Sequence, residues 1–349
     1  ARIQPATSWS LDTWGEYLVA CNEDDGKIYE WQLSTSSLPT ALTNAPVSNV
    51  AMLVTEERFV FALGAGGNPR KVQWCDKEAN TVWSAAATNE AGDMELQTTG
   101  QIMCGVRVRG KALILTDNDA HTATYIAPPF VYSFDRVGTA CGVASRQAVV
   151  AVDEGAFWMG KKGFYTYDGS TAKQLPCEAL DYVFDDINTS QISKVFAVHN
   201  SQHGEIWWFY PSADNLENNR YVSLDYKEGH WNVGVINRTA GVDQSVFDRP
   251  IWADDDGNLY NQETGYTHGS IKPFAESGSI SLGNGDQIMR VTNLISDEKT
   301  QGEVEVTFKT RFYPNDTEST HGAYTLGNPT AVRFSGRQLR IKVQGVQST

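Results

Sequence analysis

A six-residue turn motif occurs twice in this chain, at a spacing that few folds allow. It reads Asp24-Asp25-Gly26-Lys27-Ile28-Tyr29 near the start and Asp255-Asp256-Gly257-Asn258-Leu259-Tyr260 far downstream. The copies lie 231 residues apart, five units of about 46 residues, and a four-stranded propeller blade takes roughly 40–50 residues. Two copies five units apart mark the first and sixth blades of a ring. A weaker version, Gly204-Glu205-Ile206-Trp207, lies between them. In each, Asp and Gly supply a tight turn, since Asp bonds its local backbone and Gly tolerates positive φ. The apolar and aromatic residues that follow suit a strand packed on a neighbouring sheet.

Between the copies the apolar runs are short and rich in Val, Ile, Phe, Tyr and Trp. Gly, Asp, Asn and Pro separate them, which is the all-β pattern. Phe59-Val60-Phe61-Ala62-Leu63, Ala112-Leu113-Ile114-Leu115 and Ile206-Trp207-Trp208-Phe209-Tyr210 are examples, the last closed by Pro211. The repeats divide at 7–45, 46–97, 98–140, 141–184, 185–237 and 238–265, with aromatic strand ends at Trp31, Trp74, Tyr125, Tyr167, Tyr210 and Tyr260. The sixth segment is too short for four strands, so the ring is expected to close with a strand from the opposite terminus. One short helix is expected within Cys177–Phe184.

After residue 265 the pattern changes. Glu303–Lys309 and Arg337–Val343 alternate in the manner of half-exposed strands. The expected fold is therefore a six-bladed β-propeller over residues 7–265 and a smaller C-terminal β domain, platform-like, over 266–349. The second domain carries Lys309, Arg311, Arg333, Arg337, Arg340 and Lys342. This basic stripe has two readings: a surface facing phosphate or a partner, or a solvated sheet face paired with acidic neighbours in an oligomer.

The chain as a whole is acidic, with a formal net charge of −14. Such a surface resists non-specific adhesion to nucleic acid, although an acidic wall still allows DNA to slide past. Cys21, Cys75, Cys104, Cys141 and Cys177 are odd in number and form no C-x-x-C pair, so they read as buried thiols of a reducing compartment. No apolar run approaches the roughly 20 residues that span a bilayer. The chain opens on Ala1 rather than Met, and an upstream segment is expected to precede it.

Few groupings point to chemistry. His199 and His203 are four apart but lack a glutamate between them and read as turn histidines. Gly64-Ala65-Gly66-Gly67-Asn68 reads as a hairpin loop, with no following Lys-Ser/Thr pair to hold a phosphate. The acidic groups Asp24-Asp25, Asp117/Asp119, Asp185-Asp186 and Asp254-Asp255-Asp256 read as solvated turns, none matching an EF-hand loop. No metal or cofactor is expected.

Four stretches together give a resemblance. They are Trp9–Ala20 running into Gly26–Trp31; Phe157–Gly160 with Phe164–Gly169; Ile206–Pro211, Asn219–Val222 and Trp231–Gly234; and Arg333–Arg340. In order and spacing the chain resembles the β-propeller nozzle, or tail-tubular, proteins of short-tailed phages. The resemblance implies a virion protein made in the host cytoplasm. It implies a homohexamer below the portal and adaptor rings that lines the channel for double-stranded DNA and anchors tail fibres or spikes. It also implies a platform completed by upstream sequence, and no catalytic residues, so the chain is expected not to be an enzyme. The basic stripe is then the expected interface, and charge reversal at Arg337 is expected to weaken the ring. The alternative is a carbohydrate-binding propeller or glycosidase, with Trp207, Trp208 and Trp231 as sugar-stacking candidates. A third reading is a monomeric protein-binding propeller.

Overall fold

The computed structural model describes residues 8–265, 272–281, 284–297 and 303–346. The chain divides into two compact units, residues 1–263 and 264–349, two residues before the boundary set from sequence.

The first unit is a β-propeller of six antiparallel sheets. Blade one holds β1 (Trp9–Trp14), β2 (Tyr17–Asn22), β3 (Ile28–Trp31) and β4 (Thr40–Ala41). Blade two holds β5 (Ala51–Val54), β6 (Val60–Leu63), β7 (Lys71–Trp74) and β8 (Gly92–Glu95). Blade three holds β9 (Ile102–Val108), β10 (Lys111–Thr116), β11 (Asp119–Ala127) and β12 (Val131–Thr139). Blade four holds β13 (Val149–Val152), β14 (Gly155–Met159), β15 (Phe164–Tyr167) and β16 (Ala172–Leu175). A short helix, α1 (Leu180–Phe184), leads to blade five: β17 (Phe196–Asn200), β18 (Glu205–Tyr210), β19 (Arg220–Asp225) and β20 (His230–Val235). Blade six holds β21 (Ala240–Val242), β22 (Ile251–Ala253) and β23 (Leu259–Asn261). Each sheet is paired in chain order, and each falls within the segment expected for it.

Aromatic rings meet across three of the seams, between blades two and three, four and five, and five and six. Tyr132 of blade three meets Phe61 and Trp74 of blade two edge-on, with centroids 4.8 and 5.5 Å apart. Phe164 of blade four lies 5.1 Å from Trp208 and 4.7 Å from Trp231 of blade five. The Trp208 indole also donates to the Ala148 carbonyl at 3.1 Å. Trp252 of blade six packs on Trp207 and Phe209 of blade five. Each such ring removes a large apolar area from water, and pairs in these geometries add about 0.5–1.5 kcal/mol beyond that burial.

The seam between blades six and one is different. Buried apolar clusters run through blades one to three, three to five and five to six, and none joins six to one among the described residues. Blade six shows three strands there. No closing strand from the opposite terminus is present among the described residues, which do not include residues 1–7.

The two motif copies occupy the same place, the turn between the second and third strands of blades one and six. The weaker copy does not: Gly204 sits between the first and second strands of blade five. Gly26 has φ +60°, and a Cβ there would lie 2.5 Å from the backbone of Ser48 and Asn49 at the entry to blade two. The Gly26 carbonyl accepts from the Asn49 backbone at 2.9 Å and its side chain at 2.8 Å. Gly257 has φ +83° but faces nothing within 4 Å. The glycine of this turn is locked against the next blade at one end of the ring, whereas at the other the turn is held by Asn237 and Thr239 with open space beside Gly257 among the described residues.

The second unit has two sheets. One is ordered β24 (Phe274–Glu276), β30 (Gln338–Gly345), β27 (Val304–Arg311) and β28 (Ser319–Thr325), with β25 (Ile280–Ser281) also on β30. The other pairs β26 (Met289–Leu294) with β29 (Thr330–Gly336). Alternate residues Val306, Phe308, Val332 and Phe334 form their shared core.

Gly257→Ala is expected to cost about 1–2 kcal/mol, the usual penalty for a side chain at left-handed φ. Gly26→Ala is expected to cost clearly more, because backbone must also move. Urea unfolding followed by tryptophan fluorescence compares the two, and all 10 Trp precede residue 264.

Candidate functional site

The inner strands of all six blades line one axial cavity of about 910 Å³. Its wall is largely apolar, with Leu11, Met52, Val106, Val149, Phe196 and Val242 among the lining residues. Side chains of β1 stitch the inner strands together. Ser10 Oγ accepts from the Met52 amide at 2.9 Å, and Asp12 Oδ2 from the Val54 amide at 2.9 Å. Asp12 Oδ1 also accepts from Arg107 Nη2 at 2.8 Å, across to blade three. Arg146 pairs with Glu23 at the same cavity. Both arginines are therefore matched by carboxylates.

Three turns between second and third strands use an aspartate as an internal cap. Asp25 accepts from the Lys27 amide at 3.0 Å and from the Tyr29 hydroxyl, which holds its carboxyl below the usual range. Asp254 accepts from Asn258 Nδ2 at 3.1 Å, the Asn258 amide at 2.8 Å and the Tyr260 hydroxyl at 2.9 Å, and is lowered chiefly by the Asn258 side chain. Asp119 departs from the solvated-turn reading. It is buried and accepts from Thr98 at 2.8 Å and Thr116 at 2.6 Å, with His121 Nε2 3.2 Å away. The sequence reading missed it because the Asp117-Asn118-Asp119 run looks like any polar turn. Among the described residues no group of three or more His, Cys, Asp or Glu side chains is placed to hold a metal.

His199 lies on β17 rather than in a turn. Its Nδ1 is 3.1 Å from Asp243 and its Nε2 is 3.2 Å from the Tyr226 hydroxyl. Burial lowers its pKa despite the neighbouring carboxylate. His203 is in the following turn, 3.4 Å from Glu263. Gly64–Asn68 forms the loop between the paired strands β6 and β7. Of the sugar-stacking candidates only Trp208 is fully buried; Trp207 and Trp231 are half-buried, Trp207 packed on Trp252 and Trp231 stacked on Trp208. Four thiols are buried and Cys177 is half-buried. Burial raises Cys21, Cys75 and Cys104 to about 12 and Cys141 and Cys177 to about 11, which leaves little thiolate for nucleophilic chemistry.

The basic stripe does not form one free surface. Lys309 and Arg340 face each other across β27 and β30 and share Glu276, each 2.8 Å from its Oε1. Arg340 also reaches Glu318 at 3.2 Å. Arg311 donates to Gln338 at 2.6 Å and Ser279 at 3.2 Å. Arg337 donates to the Gly285 carbonyl, and Lys342 lies 4.3 Å over the Phe274 ring. Arg333 is exposed on β29, in the other sheet. The acidic partners, Glu276 on β24 and Glu318 just before β28, were not legible as neighbours. Reversal at Arg333 thus tests an interface more cleanly than reversal at Arg337, which would also remove an internal bond.

No family model matches the chain, and no curated protein matches it in sequence. Solved structures match in fold. A catalytically inactive virginiamycin B lyase from Staphylococcus aureus, solved with quinupristin, covers 75% of this chain and 85% of its own at 6% identity and TM-score 0.46. A putative 6-phosphogluconolactonase from Bacteroides uniformis covers 73% and 83% at 12% identity and TM-score 0.47. A dihydro-heme d1 dehydrogenase covers 95% and 67% at 10% identity and TM-score 0.44. At these identities the likeness is one of fold. The expectation that the chain is not an enzyme is corrected here: a lyase, a putative lactonase and a dehydrogenase are among the proteins sharing this fold, so the architecture does not set it apart from catalysts. Among the described residues no helix is long and apolar enough to cross a membrane.

The Lys309 hydrogen bond, with Arg340 beside it, lowers the Glu276 pKa. A depressed carboxylate contributes stability above its unfolded pKa, and that contribution disappears as pH falls through the folded value. Acidification below about pH 4.5 is expected to lower the calorimetric transition of the second unit. Glu276→Gln is expected to lose about 1.5–3 kcal/mol at neutral pH and to flatten this acid dependence.

Proposed function

We propose that this chain is a ring-forming component of a short-tailed phage tail, a nozzle protein around the DNA exit path that docks adaptor proteins and fibres. The observation that carries the reading is where the four resembling stretches fall. They occupy β1–β3 of blade one, β14–β15 of blade four, β18–β20 of blade five and β29–β30 of the second unit. Both units are therefore represented, in order, and each stretch lies on sheet strands rather than on loops.

The propeller axis is not the DNA path in this reading. A cavity of about 910 Å³ is lined by apolar side chains and crossed by the Asp12–Arg107 pair. It is too small for a duplex whose major groove alone is about 12 Å wide. DNA would instead pass along the axis of a ring of copies. A net charge of −14 per chain gives such a ring a field that repels phosphate and keeps passing DNA from adhering. Negative-stain microscopy of the purified full chain, and antibody labelling of the native particle, test the proposal. Sixfold rings and label at the tail tip are expected; a monodisperse monomer and an unlabelled tail would overturn it.

A further inference from the structure

Nearly every described arginine is held by a partner within the chain. Arg136, Arg290 and Arg333 are the exceptions: among the described residues they make no hydrogen bond, ion pair or ring contact. Two of the three share one surface. β26 and β29 pair antiparallel with Arg290 opposite Ser335, and Arg333 stands two residues from Ser335. Both arginines therefore project from the same face, as diagonal neighbours about 7–8 Å apart. Val291, Val332 and Phe334 turn the other way, into the core of the unit. The outer face is exposed at Arg290, Thr292, Ala331, Arg333 and Ser335, and neither strand carries a carboxylate.

The propeller carries a counterpart. Asp153 and Glu154 form the two-residue turn between β13 and β14, closed by the Val152–Gly155 pair. Both are exposed, and among the described residues neither is in an ion pair or a hydrogen bond. In every other pair of adjacent carboxylates among the described residues at least one member is already engaged. Arg146 holds Glu23, Tyr29 holds Asp25, Tyr132 holds Glu57, Arg220 holds Asp186 and Asn237 holds Asp255. The Tyr226 hydroxyl registers the field at the tip: burial, then Glu154, Asp153, Asp243 and Asp225, raise its pKa. The Lys227 ammonium lies 6.0 Å over the Tyr226 ring and forms no ion pair with these carboxylates among the described residues.

We infer that the Arg290/Arg333 face of one copy docks on the Asp153–Glu154 tip of the next. Charge selects this occupant. A chain of net charge −14 presents mainly carboxylates to another copy, and at this tip two adjacent ones have no partner of their own. The contact joins two different patches and is heterologous, the kind that closes into a ring or runs on as a filament. It deepens the ring reading above and rests on it. Exposed charge pairs orient partners and speed their encounter more than they add affinity, whereas like charges set against each other are strongly unfavourable. Reversing the charges is therefore a sharper probe than removing them.

The test is sedimentation velocity of the full chain at low salt, about 0.05 M NaCl. The double variants Arg290→Glu/Arg333→Glu and Asp153→Lys/Glu154→Lys are each expected to assemble at least about tenfold more weakly than the parent. Their thermal melts are expected to be unchanged, because all four side chains are exposed and unbonded. The second variant also lowers the overall negative charge, which by itself favours association, so its weakening reports the lost contact. The fourfold variant, with charges exchanged across the contact, is expected to recover parental assembly. Either double variant forming the parental ring would overturn this contact and leave the ring reading standing. A parent that stays monomeric would overturn both. Fluorescence anisotropy with a duplex oligonucleotide is expected to show no binding by the parent; binding that disappears in Arg290→Glu/Arg333→Glu would reassign the face to phosphate and overturn the contact.

Discussion

Ring-on-ring packing between blades is the interaction on which the rest of this molecule depends. Hairpin-paired sheets of three or four short strands have little stability alone. They are joined by apolar faces, and at three seams the contacts are made by large rings: Tyr132 on Trp74, Phe164 on Trp208 and Trp231, Trp252 on Phe209. Fully burying one large apolar side chain is worth about 1.5–3 kcal/mol. Losing one wedge therefore opens two blades at once. The axial cavity is a by-product of this arrangement, and Ser10 and Asp12 satisfy the inner strands' amides where no backbone partner is in reach.

The same dependence explains why the ends of the chain behave differently from its middle. Blade one is held to blade two by Gly26 and Asn49, and blade five to blade six by Trp252. Blades six and one lack an equivalent wedge among the described residues. Among the described residues this leaves the blade-one face around Trp9, Tyr29 and Trp31 without a wedge from blade six.

Much of the architecture was legible in the sequence because propeller repeats are enforced by length and by turn chemistry. The 231-residue offset placed blades one and six, and each Asp-Gly motif was legible as a turn entering a strand, though not as the second-to-third connection that it makes in both blades. Side-chain fate was harder to read. Asp119 and Asp25 sit in similar polar runs, yet one is buried under Thr98 and Thr116 and the other is exposed. The basic stripe looked continuous because the strands carrying it are distant in sequence from Glu276, the carboxylate that neutralises Lys309 and Arg340. Trp207 and Trp208 could not be sorted into surface or core, because the apolar run of β18 shows no alternation although Trp208 is buried and Trp207 half-buried. Trp9 and Trp14 open and close one strand, but only the second is buried, a difference set by which blade each faces.

Hydrogen–deuterium exchange resolved by strand measures most directly whether aromatic seams govern this fold. If they do, amides of β6, β10, β14 and β18, the second strands of blades two to five, exchange slowest, and β22 and β23 of blade six exchange fastest. Protection equal around all six blades, or a blade six as slow as blade five, would contradict the account.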